Sequence, residues 1–186
     1  MVKAAPEIAD LVTKIHATPT RVCLVVTGAG ARAVAWLFGE AGASRTLLDA
    51  QVPYAMAALH EYVGVKPEQH VSAVEAGRMA EAACARARKL ADAGSLELST
   101  PLAGISCTAT IATDRQKRGD HRCHVAWSNG QVQRVYSLVL NKGERDRDGE
   151  EEVVSRLILN AVAEACGLDE RVGPGLMRGE TVAGSD

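Results

Sequence analysis

RVCLVV, residues 21–26, is an apolar run of strand length without polar alternation, the pattern of a strand buried on both faces. It runs into TGAG, residues 27–30, and then into ARAVAWLFGEAG, which reads as a helix. Strand, tight glycine turn and helix is how many phosphate-binding loops are built. The glycines allow close backbone approach, and the helix start directs its amides and positive dipole end at an anion. An ordinary strand-to-helix turn has the same composition, and this loop carries no lysine and no obvious nucleophile.

The remaining elements alternate helix and strand. Pro6 suits a first helical turn, and Ile8, Leu11, Val12 and Ile15 follow as one buried stripe. SRTLLDAQVPY is a strand stopped at Pro53, and YAMAALHEYVG is a short helix with Gly64 just past its end. Ser72 and Glu75 form a capping box. The helix they open carries Ala76, Ala80, Cys84, Ala87 and Ala91 on one small-residue face, which lets it lie close to a sheet. LAGISCTATIA and HRCHVAW are strands around the charged loop TDRQKRGD, and RVYSLVL follows the hairpin turn SNGQ. A last helix buries Val154, Leu157, Ile158, Ala161 and Ala165 and stops at Gly167. This order predicts a three-layer α/β/α domain with a mixed, mostly parallel sheet, spanning residues 1–171. The glycine-rich segment 172–186 is expected to be a mobile tail.

Composition narrows the partners. A chain of 186 residues that is 47% hydrophobic is long enough for one domain with a sizeable core. A net charge of -2 and 3% aromatic residues disfavour nucleic acid and acidic membranes. The N-terminal stretch has no apolar core of signal-peptide length and no run approaches a membrane span, so a soluble cytoplasmic protein is expected. The five cysteines, Cys23, Cys84, Cys107, Cys123 and Cys166, are scattered and set among apolar neighbours, as reduced core residues are. In HRCHVAW, His121 and Cys123 share a strand face while His124 points the other way, so no metal site is expected, nor any cofactor.

Sheets of this kind bind ligands beyond the carboxyl ends of their strands. Two loops fit by chemistry: Thr27, Gly28, Ala29 and Gly30 in the first, and Ser106, Cys107 and Thr108 with the charged Asp120, His121 and Arg122 in the second. Cys107 as nucleophile with His121 as base is a conceivable catalytic pair, and a small apolar filler beside a histidine that hydrogen-bonds the start of a strand is the plainer reading.

Beyond these local readings, the chain resembles the C-terminal domain of the competence-and-damage-inducible protein CinA over roughly Leu24 to Cys166. The family's Glu-Ser-x-Thr-Gly-Gly is matched by VVTGAG at Val25 to Gly30, and its Tyr-Ser-Asn segment with a following lysine by YAMAALHEYVGV. Its EVARAMAEGAR-like helix is matched by AVEAGRMAEAACARAR, its Gly-Ile-Ala-Gly-Pro loop by GISCT, and its late Gly-Asp-Arg by GER at Gly143 to Arg145, with Arg147 an equal candidate for that arginine. GDHR, Gly119 to Arg122, is similar to a divergent eukaryotic CinA-like branch.

The resemblance implies a nicotinamide mononucleotide amidohydrolase outline with altered chemistry. The family's nucleophilic serine falls on Val25, its glutamate on Leu24 and its lysine on Leu59, and none of these can attack a carboxamide or take a proton. Thr27, Gly28, Gly30, Tyr54 and Arg145 remain as the implied ligand cradle. The resemblance therefore implies a self-associating nucleotide-binding domain, a pyridine nucleotide being one candidate ligand. A hydrolase working through non-standard residues and a non-catalytic interaction domain stay open as alternatives.

Overall fold

The computed structural model describes residues 4–94, 96–115 and 118–185. Gln116 and Lys117 of the charged loop and Asp186 of the tail lie outside the described residues. Among the described residues, five α-helices, α1 (Pro6–Ala17), α2 (Ala31–Gly39), α3 (Met56–Val63), α4 (Ala73–Ala93) and α5 (Arg147–Ala165), accompany six strands. The strands are β1 (Arg21–Thr27), β2 (Leu47–Gln51), β3 (Leu102–Thr110), β4 (His121–Ser128), β5 (Gln133–Leu140) and β6 (Ala183–Ser185).

The sheet order is β2-β1-β3-β4-β5-β6. β1 pairs in parallel with both β2 and β3, and every later pairing is antiparallel. The sheet is mixed as expected, but parallel pairing stops at β3. From there to β5 the connections are too short for a crossover helix, so neighbours return antiparallel.

Strand parity divides the core. Val22, Leu24 and Val26 of β1, with Ala103, Ile105, Cys107 and Ala109 of β3, pack under α1, α2 and α5. Cys23 and Val25 face the other way, onto Leu59 of α3 and Met79, Ala83 and Ala87 of α4. The small-residue face of α4 lies against Gly104, where an added Cβ would sit 2.1 Å from the Cys84 nitrogen and 2.2 Å from the Ala80 carbonyl oxygen. The capping box is only half made: Ser72 Oγ accepts the Glu75 N–H at 3.1 Å, but the Glu75 carboxylate is buried with no hydrogen-bond partner.

Residues 172–185 lie along the domain. Val172 is buried and exchanges two 2.9 Å hydrogen bonds with the Asn160 side chain, and β6 pairs with β5. The Glu180 carboxylate accepts from Arg145 at 2.6 and 2.9 Å and from the backbone N–H groups of Asn141 and Met177, each at 2.8 Å. A polar anchor of this kind is invisible to a reading based on apolar content. Among the described residues no helix is long and apolar enough to cross a membrane.

Candidate small-molecule site

β1 leaves through α2 to β2 on one side, and the chain returns through α3 and α4 to β3 on the other. The strand order thus reverses between β1 and β3, whose ends meet with Thr27 opposite Thr108. Loops diverge at such a switch point and leave a crevice. Here it is a cleft of about 320 Å³. Thr27 and Gly28 form one wall and Thr108, Ala109 and Thr110 the other. Tyr54, Met56 and Leu59 come from α3 and the turn before it, His70 and Val71 precede α4, and Thr113 and Arg147 close the mouth.

Two hydroxyls tie the walls together. Thr27 Oγ1 donates to the Pro53 carbonyl at 3.1 Å, and Thr108 Oγ1 donates to the His70 carbonyl at 2.6 Å. Gly28 has φ +83°, and a Cβ there would lie 1.8 Å from the Ala109 carbonyl oxygen, so only glycine lets β1 turn this close to β3. Arg147, the first residue of α5, donates from Nη1 to the Ala112 carbonyl at 3.0 Å, and its Nη2 lies 3.5 Å from the Gly28 carbonyl. The lining holds Arg147 and His70 but no carboxylate among the described residues. Its electrostatic character favours an anion.

The α2 amides do not face that cleft unengaged. The Gly30 N–H donates to both oxygens of Glu151, at 2.9 and 3.0 Å, and the Arg32 N–H donates to Glu151 Oε1 at 3.0 Å. Arg32 in turn pairs with Glu152 at 2.7 Å and with Asp148. A carboxylate from α5 therefore occupies the anion-seeking end of α2, capping it as a bound phosphate would.

Of the residues singled out from the sequence, Thr27, Gly28, Tyr54 and Thr108 meet at the cleft. Ala29 is buried in the core, and Gly30 is held by Glu151. Ser106 points at α4 and donates to the Ala76 carbonyl at 2.6 Å. Cys107 faces the opposite layer, fully buried, and desolvation pushes its thiol well above the ordinary value. It sits opposite Val125, four residues along β4 from His121, a separation of about 13 Å at strand spacing. His121 is committed elsewhere: its Nδ1 lies 2.7 Å from Glu150 Oε1, while Glu150 Oε2 accepts the Ala112 N–H at 2.6 Å. The two residues do not form a nucleophile–base pair.

Asp120 and Arg122 border a neighbouring pocket of about 300 Å³ that shares Val71 and Thr110 with the cleft, and Arg122 Nε donates to the Val71 carbonyl at 3.3 Å. Arg145 is turned away into its pair with Glu180, and Arg147 is the arginine that reaches the cleft. Sequence reasoning does not single out His70, Thr110 and Thr113 as lining residues or Glu151 as the α2 cap. A histidine just ahead of a well-signalled N-cap, on a helix returning to the sheet, is the available hint for the first. As for HRCHVAW, His121 and His124 do take opposite faces, with His124 Nδ1 2.7 Å from Ser137 Oγ.

A three-layer α/β sheet with a crevice at its switch point defines a class of doubly wound α/β folds. Within that class the chain has a CinA-like fold. It is similar to the crystal structure of the competence/damage inducible protein CihA from Agrobacterium tumefaciens, with a TM-score of 0.68 and 20% identity, covering 91% of this chain and 100% of that one. It is also similar to CinA superfamily proteins from Escherichia coli, with a TM-score of 0.63, 17% identity and coverage of 88% and 94%, and from Enterobacter cloacae, with a TM-score of 0.62, 17% identity and coverage of 90% and 95%. At these identities the likeness speaks for the fold alone. No family model matches the sequence, and no curated protein matches it.

Proposed function

We propose that this domain binds a small anionic molecule, in the first instance a nucleotide, in the cleft between β1 and β3, and that it does not hydrolyse nicotinamide mononucleotide. The observation that carries the binding half is the lining itself, with the Arg147 guanidinium at the mouth and no carboxylate facing it among the described residues. Thr27 and Thr108 direct their protons at carbonyls, so their oxygens keep lone pairs for the amide or hydroxyl donors of a ligand.

The catalytic half rests on Val25 and Leu59, where the resemblance places the nucleophile and its lysine. They are 0% and 2% exposed and belong to one apolar cluster with Met79. Neither can attack a carbonyl, and losing an activated nucleophile costs many orders of magnitude in rate. Self-association belongs to the same proposal and is read directly by light scattering.

An ammonia-release assay with nicotinamide mononucleotide tests the absence of hydrolysis. No turnover is expected, and turnover of about one per second, ordinary for an enzyme, overturns the proposal. A panel of pyridine, adenine and flavin nucleotides in a thermal-shift screen tests binding, because a ligand that binds only the folded state raises its stability.

A further inference from the structure

A second cavity lies between α5, β5 and the C-terminal segment, and it shares no lining residue with the β1–β3 cleft. Its volume is about 310 Å³, at the small end of the range for ligand pockets. Leu157 and Ala161 of α5 and Pro174 and Val182 of the segment give it apolar walls. Two charged side chains also line it: Glu164 in the last turn of α5, and Arg171 just beyond that helix. Each is held by a neutral group. The Tyr136 hydroxyl donates to Glu164 Oε2, and burial beside that carboxylate pushes the phenol up to about 12, so it keeps the proton this bond needs. Arg171 Nη1 donates to the Leu168 carbonyl at 2.6 Å and to the Glu170 carbonyl at 2.8 Å. Among the described residues Glu164 and Arg171 form no ion pair with each other, although both act electrostatically on the Tyr136 hydroxyl. Glu164 Oε1 and Arg171 Nη2 are left unengaged.

We propose that this pocket binds a free α-amino acid with an apolar side chain, its ammonium donating to Glu164 Oε1, its carboxylate accepting from Arg171 Nη2 and its side chain lying against the apolar walls. Two opposite charges that line one small cavity without neutralising each other match a ligand that carries both charges itself, and charge-assisted hydrogen bonds at each end fix its orientation. A simple amine or a simple carboxylate would satisfy only one of them. The direction of α5 adds to this polarity: Glu164 stands at the C-terminal, negative end of the helix dipole, which favours the ammonium there. The apolar walls exclude a polar side chain, which would lose its water without gaining a partner. Arg171, Pro174 and Val182 all belong to the stretch that leads from α5 to β6, and the Asn160 side chain, which also lines the pocket, exchanges hydrogen bonds with the Val172 backbone. A bound amino acid therefore bridges α5 and the C-terminal segment and tightens their docking. The site is independent of the nucleotide reading of the cleft.

The test is calorimetry of the full chain with L-leucine and L-phenylalanine, each beside its decarboxylated and deaminated analogues (isoamylamine and isocaproate, phenethylamine and hydrocinnamate). Saturable binding of at least one of the two amino acids is expected, one per chain, and at least about tenfold weaker for either of its analogues, the scale of one hydrogen bond to a charged group. Glu164→Gln, which keeps an acceptor for Tyr136, and Arg171→Ala, at an exposed side chain, should each weaken it by about tenfold or more with the melting transition retained. Saturating amino acid should also slow exchange of the Val172 amide hydrogen in the wild type, a readout that needs no variant. No saturable binding of either amino acid at millimolar concentration overturns the proposal. So does an analogue that binds as tightly as its parent amino acid, unchanged affinity in either variant, or a Val172 amide indifferent to saturating ligand.

Discussion

The Glu151 carboxylate sits on the Gly30 amide, with both its oxygens within 3.0 Å of that nitrogen, although the two residues are 121 positions apart in sequence. This contact replaces an external anion at the start of α2 with an internal one, and it ties α2 to α5 at the loop that borders the cleft. A ligand phosphate is therefore expected at Arg147 and the threonine hydroxyls, and the Gly28–Ala31 amides suggested by the loop's sequence are secondary to them.

Removing that carboxylate frees the Gly30 and Arg32 amides. Glu151→Ala is expected to lower stability by about 1–2 kcal/mol, the scale of a lost N-terminal cap. Inorganic phosphate should then raise the melting temperature of the variant by more than that of the wild type, the excess reporting the freed amides. A wild type stabilised by phosphate as strongly as the variant would mean that the helix start is accessible to anions despite Glu151.

Much of this arrangement could be read along the chain, and the limits have identifiable causes. The apolar run at β1, the small face of α4 and the parity that sends Ser106 and Thr108 to one side of β3 and Cys107 to the other are local properties, and local periodicity reports them. The choice between Arg145 and Arg147 is different in kind. The two lie two residues apart in one charge run, and what separates them is Glu180, in a glycine-rich segment whose few apolar residues show no helix or strand period. Glu151 is equally hidden, because acidic residues in a first turn are ordinarily explained by their own helix dipole.

The Arg145 guanidinium, helped by the Met177 and Asn141 amides, holds the Glu180 carboxyl down at about 2, from an ordinary 4.5. A carboxyl lowered in the folded state contributes stability above its unfolded value and loses it as pH falls through the folded one. Docking of residues 172–185 should therefore weaken between about pH 4.5 and pH 2, seen as a falling protection factor of the Asn141 amide hydrogen, its observed exchange compared with the intrinsic rate at each pH. Glu180→Gln, which leaves Arg145 buried without its partner, should cost about 3 kcal/mol or more and remove that acid dependence. An Asn141 amide equally protected at pH 2 and pH 6 would contradict this assignment.

Gly28 cannot serve as a neutral probe of the cleft. With φ at +83° and the Ala109 carbonyl oxygen 1.8 Å from where a Cβ would stand, Gly28→Ala is expected to destabilise the fold by about 2–3 kcal/mol and to disturb β3 as well as the loop. Denaturant unfolding measures this. A cost below about 0.5 kcal/mol, the range of an ordinary surface change, would show that β1 and β3 have room to separate.

The two arginines give anion binding in the cleft its sharpest contrast, since Arg147 lines the cleft and Arg145 anchors the C-terminal segment. The deciding measurement is calorimetry of nicotinamide mononucleotide, and of any nucleotide that scores in the thermal-shift screen, against the wild type and Arg147→Ala. Saturable binding to the wild type is predicted, weakened at least about tenfold in Arg147→Ala, the scale of one charge-assisted hydrogen bond, with folding unaffected. Equal affinity in the two proteins, or no binding by the wild type to any nucleotide at millimolar concentration, would contradict it.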